Sequence, residues 1–232
     1  MKNIFFLFLG LFICLTTQAQ FNERPVLNLQ NEDKALLNWG YFLGFNSLDF
    51  KFDYIDVPED GDNLVSTSTG FNVGLISELR LNQFFDLRFE PGLFYTQRTI
   101  GFRGFTTESE ALRDVKSTYI SFPILLKAST KRIGNWKPFV IGGVSYSLNL
   151  GSNEDSLDDN STGTFRMTKN NYNWEVGFGI DFYTEYFKFS PSIRGVFAMN
   201  NELIPDNDPD SPWTGNLSGL RTRGIFVNFT FE

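Results

Sequence analysis

The sequence predicts an all-β fold: an eight-stranded antiparallel transmembrane β-barrel with short periplasmic turns and long extracellular loops. Three observations carry that prediction. Eight segments alternate apolar and polar residues with the period of two that strands impose. The connections between them run long, short, long, short, long, short, long, the asymmetry of a barrel trimmed at one end and elaborated at the other. The composition joins a mean hydropathy of −0.19 to an aromatic content of 17%, including 27 Phe, as suits strands with one face in lipid and one in a polar interior.

Residues 1–19 read as a signal peptide. Lys2 precedes an apolar run from Ile4 to Leu15, then Thr16-Thr17-Gln18-Ala19, so cleavage is expected between Ala19 and Gln20. The run is too short to span a membrane as a mature helix. Cys14 follows Phe12-Ile13 rather than the small residues of a lipidation site, and it is the sole cysteine, so the mature chain has no disulfide or thiol chemistry. Loss of Lys2 leaves 19 basic against 27 acidic side chains, a net charge of −8. So acidic a chain is a poor partner for nucleic acid.

Residues 20–37 show no clean periodicity and are expected to be a periplasmic lead-in; residues 38–232 are expected to form the barrel. Strand one sets Trp39, Tyr41, Leu43 and Phe45 against Gly40, Phe42, Gly44 and Asn46. Lys51 to Ser68 is acidic and broken by Pro58 and Gly61, hence a long loop. Strand two, Gly70 to Leu81, opposes Phe71, Val73, Leu75 and Leu79 to Asn72, Gly74, Glu78 and Arg80. After the tight turn Asn82-Gln83, strand three opposes Phe85, Leu87, Phe89, Leu93 and Tyr95 to Asp86, Arg88, Glu90 and Thr96. Gly101 to Val115 is the second long loop. Strand four runs from Lys116 to Ala128; Pro123 lacks a ladder donor and predicts a bulge or local break. Strand five, Pro138 to Leu150, alternates less cleanly because Phe139 and Ile141 are apolar on its supposed inner face. Gly151 to Asn170 is the third long loop. Strand six, Tyr172 to Phe182, is the cleanest, with Asn173, Glu175, Gly177, Gly179 and Asp181 on the polar face. Strand seven opposes Phe187, Phe189, Ile193 and Phe197 to Lys188, Ser190, Ser192 and Arg194. Asn200 to Ser218 is the last long loop. Strand eight ends the chain with Ile225, Val227, Phe229 and Phe231 on one face.

A soluble eight-stranded barrel would turn the apolar face inward. That choice crowds every Phe, Tyr and Trp into an interior only wide enough for ordinary side chains, so the inverted arrangement fits better. The polar faces then converge, and the candidate site is an interior charge network of Glu78, Arg80, Asp86, Arg88, Glu90, Lys127, Glu175, Asp181, Arg194 and Arg223. Confined opposite charges form a structural network of ion pairs; the alternative is an ion path or ligand pocket. A barrel this small is plugged by its own side chains and is not a general porin.

No catalytic residue is assigned. The sequence holds no histidine, which removes Ser-His-Asp chemistry, and a carboxylate pair such as Glu90 with Glu175 reads more simply as salt-bridge partners. No cofactor and no metal site are expected: zinc lacks ligands, and the acidic loops (Asp53, Asp56, Glu59, Asp60, Asp62; Glu154, Asp155, Asp158, Asp159; Asp206, Asp208, Asp210) lack calcium-loop spacing. No small-molecule substrate is evident. Trp213 and Phe165, set among polar loop residues, read as contact sites for a partner.

The C-terminal strand, ending on an aromatic one residue from the carboxyl terminus, resembles the assembly signal of outer-membrane barrels, with Phe229 and Phe231 as its anchors. The segment Leu27 to Phe50 (LNLQNEDKALLNWGYFLGFNSLDF), the eight-strand layout and the terminal FVNFTFE together resemble the PorT family of Bacteroidota, small outer-membrane barrels. The similarity is strongest at Asp33-Lys34 and along Gly40 to Asn46. It implies residence in the outer membrane, contact with its lipid, and a part in the type IX secretion system alongside other components of that system, which exports proteins bearing C-terminal sorting domains. A generic structural or adhesive barrel is the alternative.

Overall fold

The computed structural model describes residues 26–31, 34–56, 61 and 63–232. The expected cleavage site at Ala19 and Gln20 lies outside these residues, as do Asp33, Pro58, Glu59, Asp60 and Asp62. The strands are β1 (Leu37–Tyr54), β2 (Leu64–Thr67), β3 (Gly70–Arg80), β4 (Phe85–Phe89), β5 (Gly92–Gly101), β6 (Leu112–Ser129), β7 (Trp136–Asn149), β8 (Asn170–Tyr183), β9 (Lys188–Ala198) and β10 (Leu217–Phe231). Two pairs, β2 with β3 and β4 with β5, are halves of single barrel strands, so the sheet is a ring of eight. It closes where β10 pairs with β1, from Tyr41 opposite Phe231 to Lys51 opposite Arg221.

Both interruptions have local causes. Between β2 and β3, Thr67 opposes Arg98 while Phe71 opposes Tyr95, one more residue on the first strand than on its partner, which is a β-bulge. Between β4 and β5 stands Pro91, whose missing N–H interrupts the ladder to β3, and its neighbour Glu90 opposes Pro123. Glu90 N–H still donates to the Pro123 carbonyl at 3.2 Å, but the return bond has no donor. The register is unchanged on both sides of the gap, with Phe89 opposite Ile124 and Gly92 opposite Ser121. The expected bulge at Pro123 is therefore absent. β6 runs through it, and the break falls on the neighbouring strand.

The long connections, 102–111, 150–169, 199–216 and the described residues 55, 56, 61 and 63 between β1 and β2, gather at one end, and the short ones, 81–84, 130–135 and 184–187, at the other. Within the lipid-facing band the apolar residues point outward: Trp39, Tyr41, Leu43 and Phe45 of β1 and Tyr172, Trp174, Val176 and Phe178 of β8 are exposed. On β8 this face runs from Tyr172 to Phe182; at about 3.3 Å per residue and a tilt near 40° it covers roughly 25 Å, the height of an outer-membrane apolar band.

Beyond that band the polarity of the strands inverts. At the extracellular ends of β1, β6 and β10 the outward positions are charged (Asp49, Lys51, Asp114, Lys116, Arg221, Arg223), and the inward ones are largely apolar (Phe50, Val115, Leu220). The chain there faces water outside and must build a conventional core inside. For this reason β1 and β6 reach 18 residues each and extend into segments expected to be loop, Lys51 to Ser68 and Gly101 to Val115.

Candidate functional site

The barrel interior is built in storeys, and the one nearest the short turns is charged. Glu78 is its hub: Arg88, directly opposite it on β4, donates to it through Nε at 2.8 Å and through Nη2. Lys127 and Lys188 each place Nζ 3.3 Å from the same carboxylate. Lys127 also pairs with Asp181 at 2.8 Å, and Ser190 Oγ donates to Asp181 at 2.7 Å. Arg194 lies between the carboxylates of Glu90, at 2.7 Å, and Glu175, at 2.9 Å, so these two acids are counter-ions of one guanidinium. Arg80 and Asp86, opposite each other near the short-turn rim, are 3.6 Å apart. Apolar Phe139 has a place here as well: Lys127 Nζ and the Arg88 guanidinium lie 4.5 and 5.7 Å from its ring centroid, a desolvated cation–π arrangement. Its inward position, which blurred the alternation of β7, is part of the site.

Nine of the expected network residues thus face the interior, and Arg223 does not. Its side chain points outward, 53% exposed, and pairs with Asp49 at 2.9 Å. The assignment failed because it assumed that polar means inward, whereas Arg223 lies where the strands have left the lipid and inverted. Three further charged residues of this storey stand outside the expected network. Lys188, already on the polar face expected of its strand, pairs with Glu232 at 2.8 Å, and Glu232 and Lys137 occupy inward positions that strict parity along their strands gives.

The next storey is amide-rich. Asn46 Nδ2 donates to Asn72 Oδ1 at 2.6 Å, and Asn72 Nδ2 to Asn228 Oδ1 at 3.0 Å. Above it pack Leu48, Phe94, Tyr119, Val196 and Phe226, with Phe94 stacked on Tyr119 at 4.6 Å. The cavity at this level measures about 10 Å³, the room of about one water. Arg98 follows, its guanidinium 3.7 Å from the Phe50 ring centroid and donating to Tyr119 Oη and Thr222 Oγ1 at 3.1 Å each. Buried Glu202, from the last loop, accepts from the Thr222 hydroxyl at 2.7 Å and its N–H at 3.2 Å. Burial raises the Glu202 carboxyl above the ordinary carboxylate range. The top storey is an apolar cap in which Phe50, Ile100 and Val115 of the barrel meet Phe102, Phe165, Met167 and Leu203 of the loops.

The loops are tied to one another above this cap. Arg113 Nη2 donates to the Asn160 carbonyl at 2.7 Å. Asp206 accepts from Asn160 Nδ2 at 2.9 Å, and Asp159 from the Asn207 N–H at 3.1 Å. Arg166 donates to Asn207 Oδ1 at 3.1 Å and to the Pro205 carbonyl. Trp213 stacks on Phe105 at 5.1 Å and donates Nε1–H to the Glu110 carbonyl at 2.8 Å. Phe165, expected to be an exposed partner contact, is instead 6% exposed within the cap; an isolated aromatic in a polar loop served the chain's own core.

Residues 18–203 match a family model described as an outer membrane protein beta-barrel domain. Among solved structures, the outer membrane protein OprG from Pseudomonas aeruginosa aligns with a TM-score of 0.50 and 10% identity, covering 83% of this chain and 94% of that one. Neisserial surface protein A aligns with a TM-score of 0.45 and 12% identity over 84% and 97%. Ail, the attachment invasion locus protein of Yersinia pestis, aligns at 0.36 and 11% over 83% and 95%. The likeness to OprG is one of fold. No curated protein matches the sequence.

Proposed function

We propose that this chain, which belongs to the outer membrane protein beta-barrel domain family, is a closed, non-enzymatic barrel that serves protein export as an accessory component of the type IX secretion system. It resides in the outer membrane and contacts its lipid through the outward apolar band. One observation supports the closed, non-conducting reading: successive storeys fill the interior from the charged rim to the apolar cap, with space for about one water at mid-height. The interior network then acts structurally, each charge neutralising another that would be costly to bury alone. The export role follows the PorT-like Asp33-Lys34 lead-in, the Gly40 to Asn46 strand and the terminal FVNFTFE. The non-enzymatic reading is supported by a sequence without histidine and by interior carboxylates already engaged as counter-ions.

The test is a deletion strain. Cargo bearing a C-terminal sorting domain should accumulate in the periplasm with that domain uncleaved, and complementation should restore export. Normal cargo at the cell surface of the deletion strain would sink the export role and leave a structural or adhesive barrel.

A further inference from the structure

Beyond that reading, we infer that the periplasmic rim carries a binding site for a phosphate-bearing anion, best suited to the headgroup of an anionic phospholipid. The site is a cavity of about 580 Å³ between the lead-in and the turns after β3 and β6. Among the described residues lining it are Lys34, Arg80, Lys131, Arg132 and Lys137, and no acid.

Lys137 carries the inference. It is 5% exposed, lines the cavity, and makes no direct hydrogen bond or ion pair among the described residues, while every other cation of that charged storey does; Asp86 and Asp181, the latter opposite it on β8 and already paired with Lys127, act on it only from a distance. A buried ammonium that no carboxylate contacts directly is only partly compensated, and an anion bound against it removes the remaining cost. The walls are preorganised. Arg132 is fixed by the Gly134 carbonyl and Asn135 Oδ1, each at 2.8 Å, with its guanidinium 3.8 Å from the Tyr183 ring centroid. Two further features favour a lipid over a small ion. The volume exceeds what one phosphate fills, and exposed Leu81, on the cavity wall, continues through Phe84 and Phe85 into the lipid-facing surface. Phosphate in the cavity with acyl chains along that apolar path is how basic pockets at a membrane face take headgroups.

The test uses the detergent-purified mature barrel, with native mass spectrometry and thermal unfolding as readouts. Phosphatidylglycerol should be retained and should raise the unfolding temperature more than phosphatidylethanolamine does. Lys137→Met should weaken phosphatidylglycerol binding about tenfold, the loss of one charge-assisted contact. Without anionic lipid the same variant should unfold at or above the wild-type temperature, since it removes a buried charge that no carboxylate contacts directly. Lys131→Gln, in an exposed turn, should also weaken retention without touching the fold. If millimolar inorganic phosphate gives the same Lys137-dependent stabilisation, the site stands with soluble phosphate as its source. Equal retention of both lipids, undiminished binding by both variants, or a lowered unfolding temperature for Lys137→Met in zwitterionic detergent would each overturn it.

Discussion

Glu78 answers three cations, Arg88, Lys127 and Lys188, so its loss should cost far more than the loss of any exposed charge. Breaking a buried pair leaves uncompensated charge behind, and Glu78→Ala is expected to destabilise the barrel by about 3–5 kcal/mol. Arg223→Ala, which removes an exposed pair with Asp49, should cost no more than about 1 kcal/mol. Urea titration of the folded barrel in detergent separates the two, and equal effects would contradict the placement of these side chains. Glu202 gives a prediction of opposite sign. Its carboxyl is raised in the folded state by burial, so ionisation there opposes folding. The stability is full below the ordinary carboxylate value and declines as pH rises through the raised folded value. Glu202→Gln keeps an acceptor for Thr222 and should flatten that decline; an unchanged pH profile would show that Glu202 does not govern it.

The strands show how far the sequence was legible. Within the lipid-facing band, alternation located all eight barrel strands and their faces, because lipid outside and confined charge inside leave a side chain two unlike environments. Above the band the same alternation continues with its sign reversed, as in Phe50, Phe52 and Tyr54 against Lys51 and Asp53; read with the lipid rule it resembles loop. The folding of Phe165 and Met167 into the cap had no periodic signal, since two apolar residues in a long polar loop match no template. Strand interiors hold a further test. Phe42 lies across Gly74 and Gly92, where an added Cβ would stand 2.5 and 2.8 Å from its ring. Gly74→Ala should therefore cost about 1–3 kcal/mol by overpacking, read as a lowered unfolding temperature, and Phe42→Leu in the same chain should recover part of it.

On the scale of the whole molecule, a filled interior predicts no channel. Purified protein in a planar bilayer should give no discrete conductance. A deletion from Ser152 to Thr164 should still insert without opening a path, because that span lies beyond the Arg98 and Glu78 storeys; steady single-channel steps from the intact protein would refute the filled interior. Removing Phe231 and Glu232 should deplete the protein from the outer membrane. It takes away the proposed assembly anchor, a partner of Lys188, and the two backbone bonds that Glu232 makes to Lys188, at 2.7 and 3.0 Å. The closure itself has a consequence in time. Tyr41 and Phe231, stacked at 5.3 Å, lie almost the whole described chain apart, so the seam is the contact of greatest sequence separation and the slowest to find. The early strands cannot complete the barrel by themselves: until β10 is in place, β1 pairs with β3 alone and its other edge stays open. The seam thus sets the order of events, with the ring closing only when β1 and β10 meet.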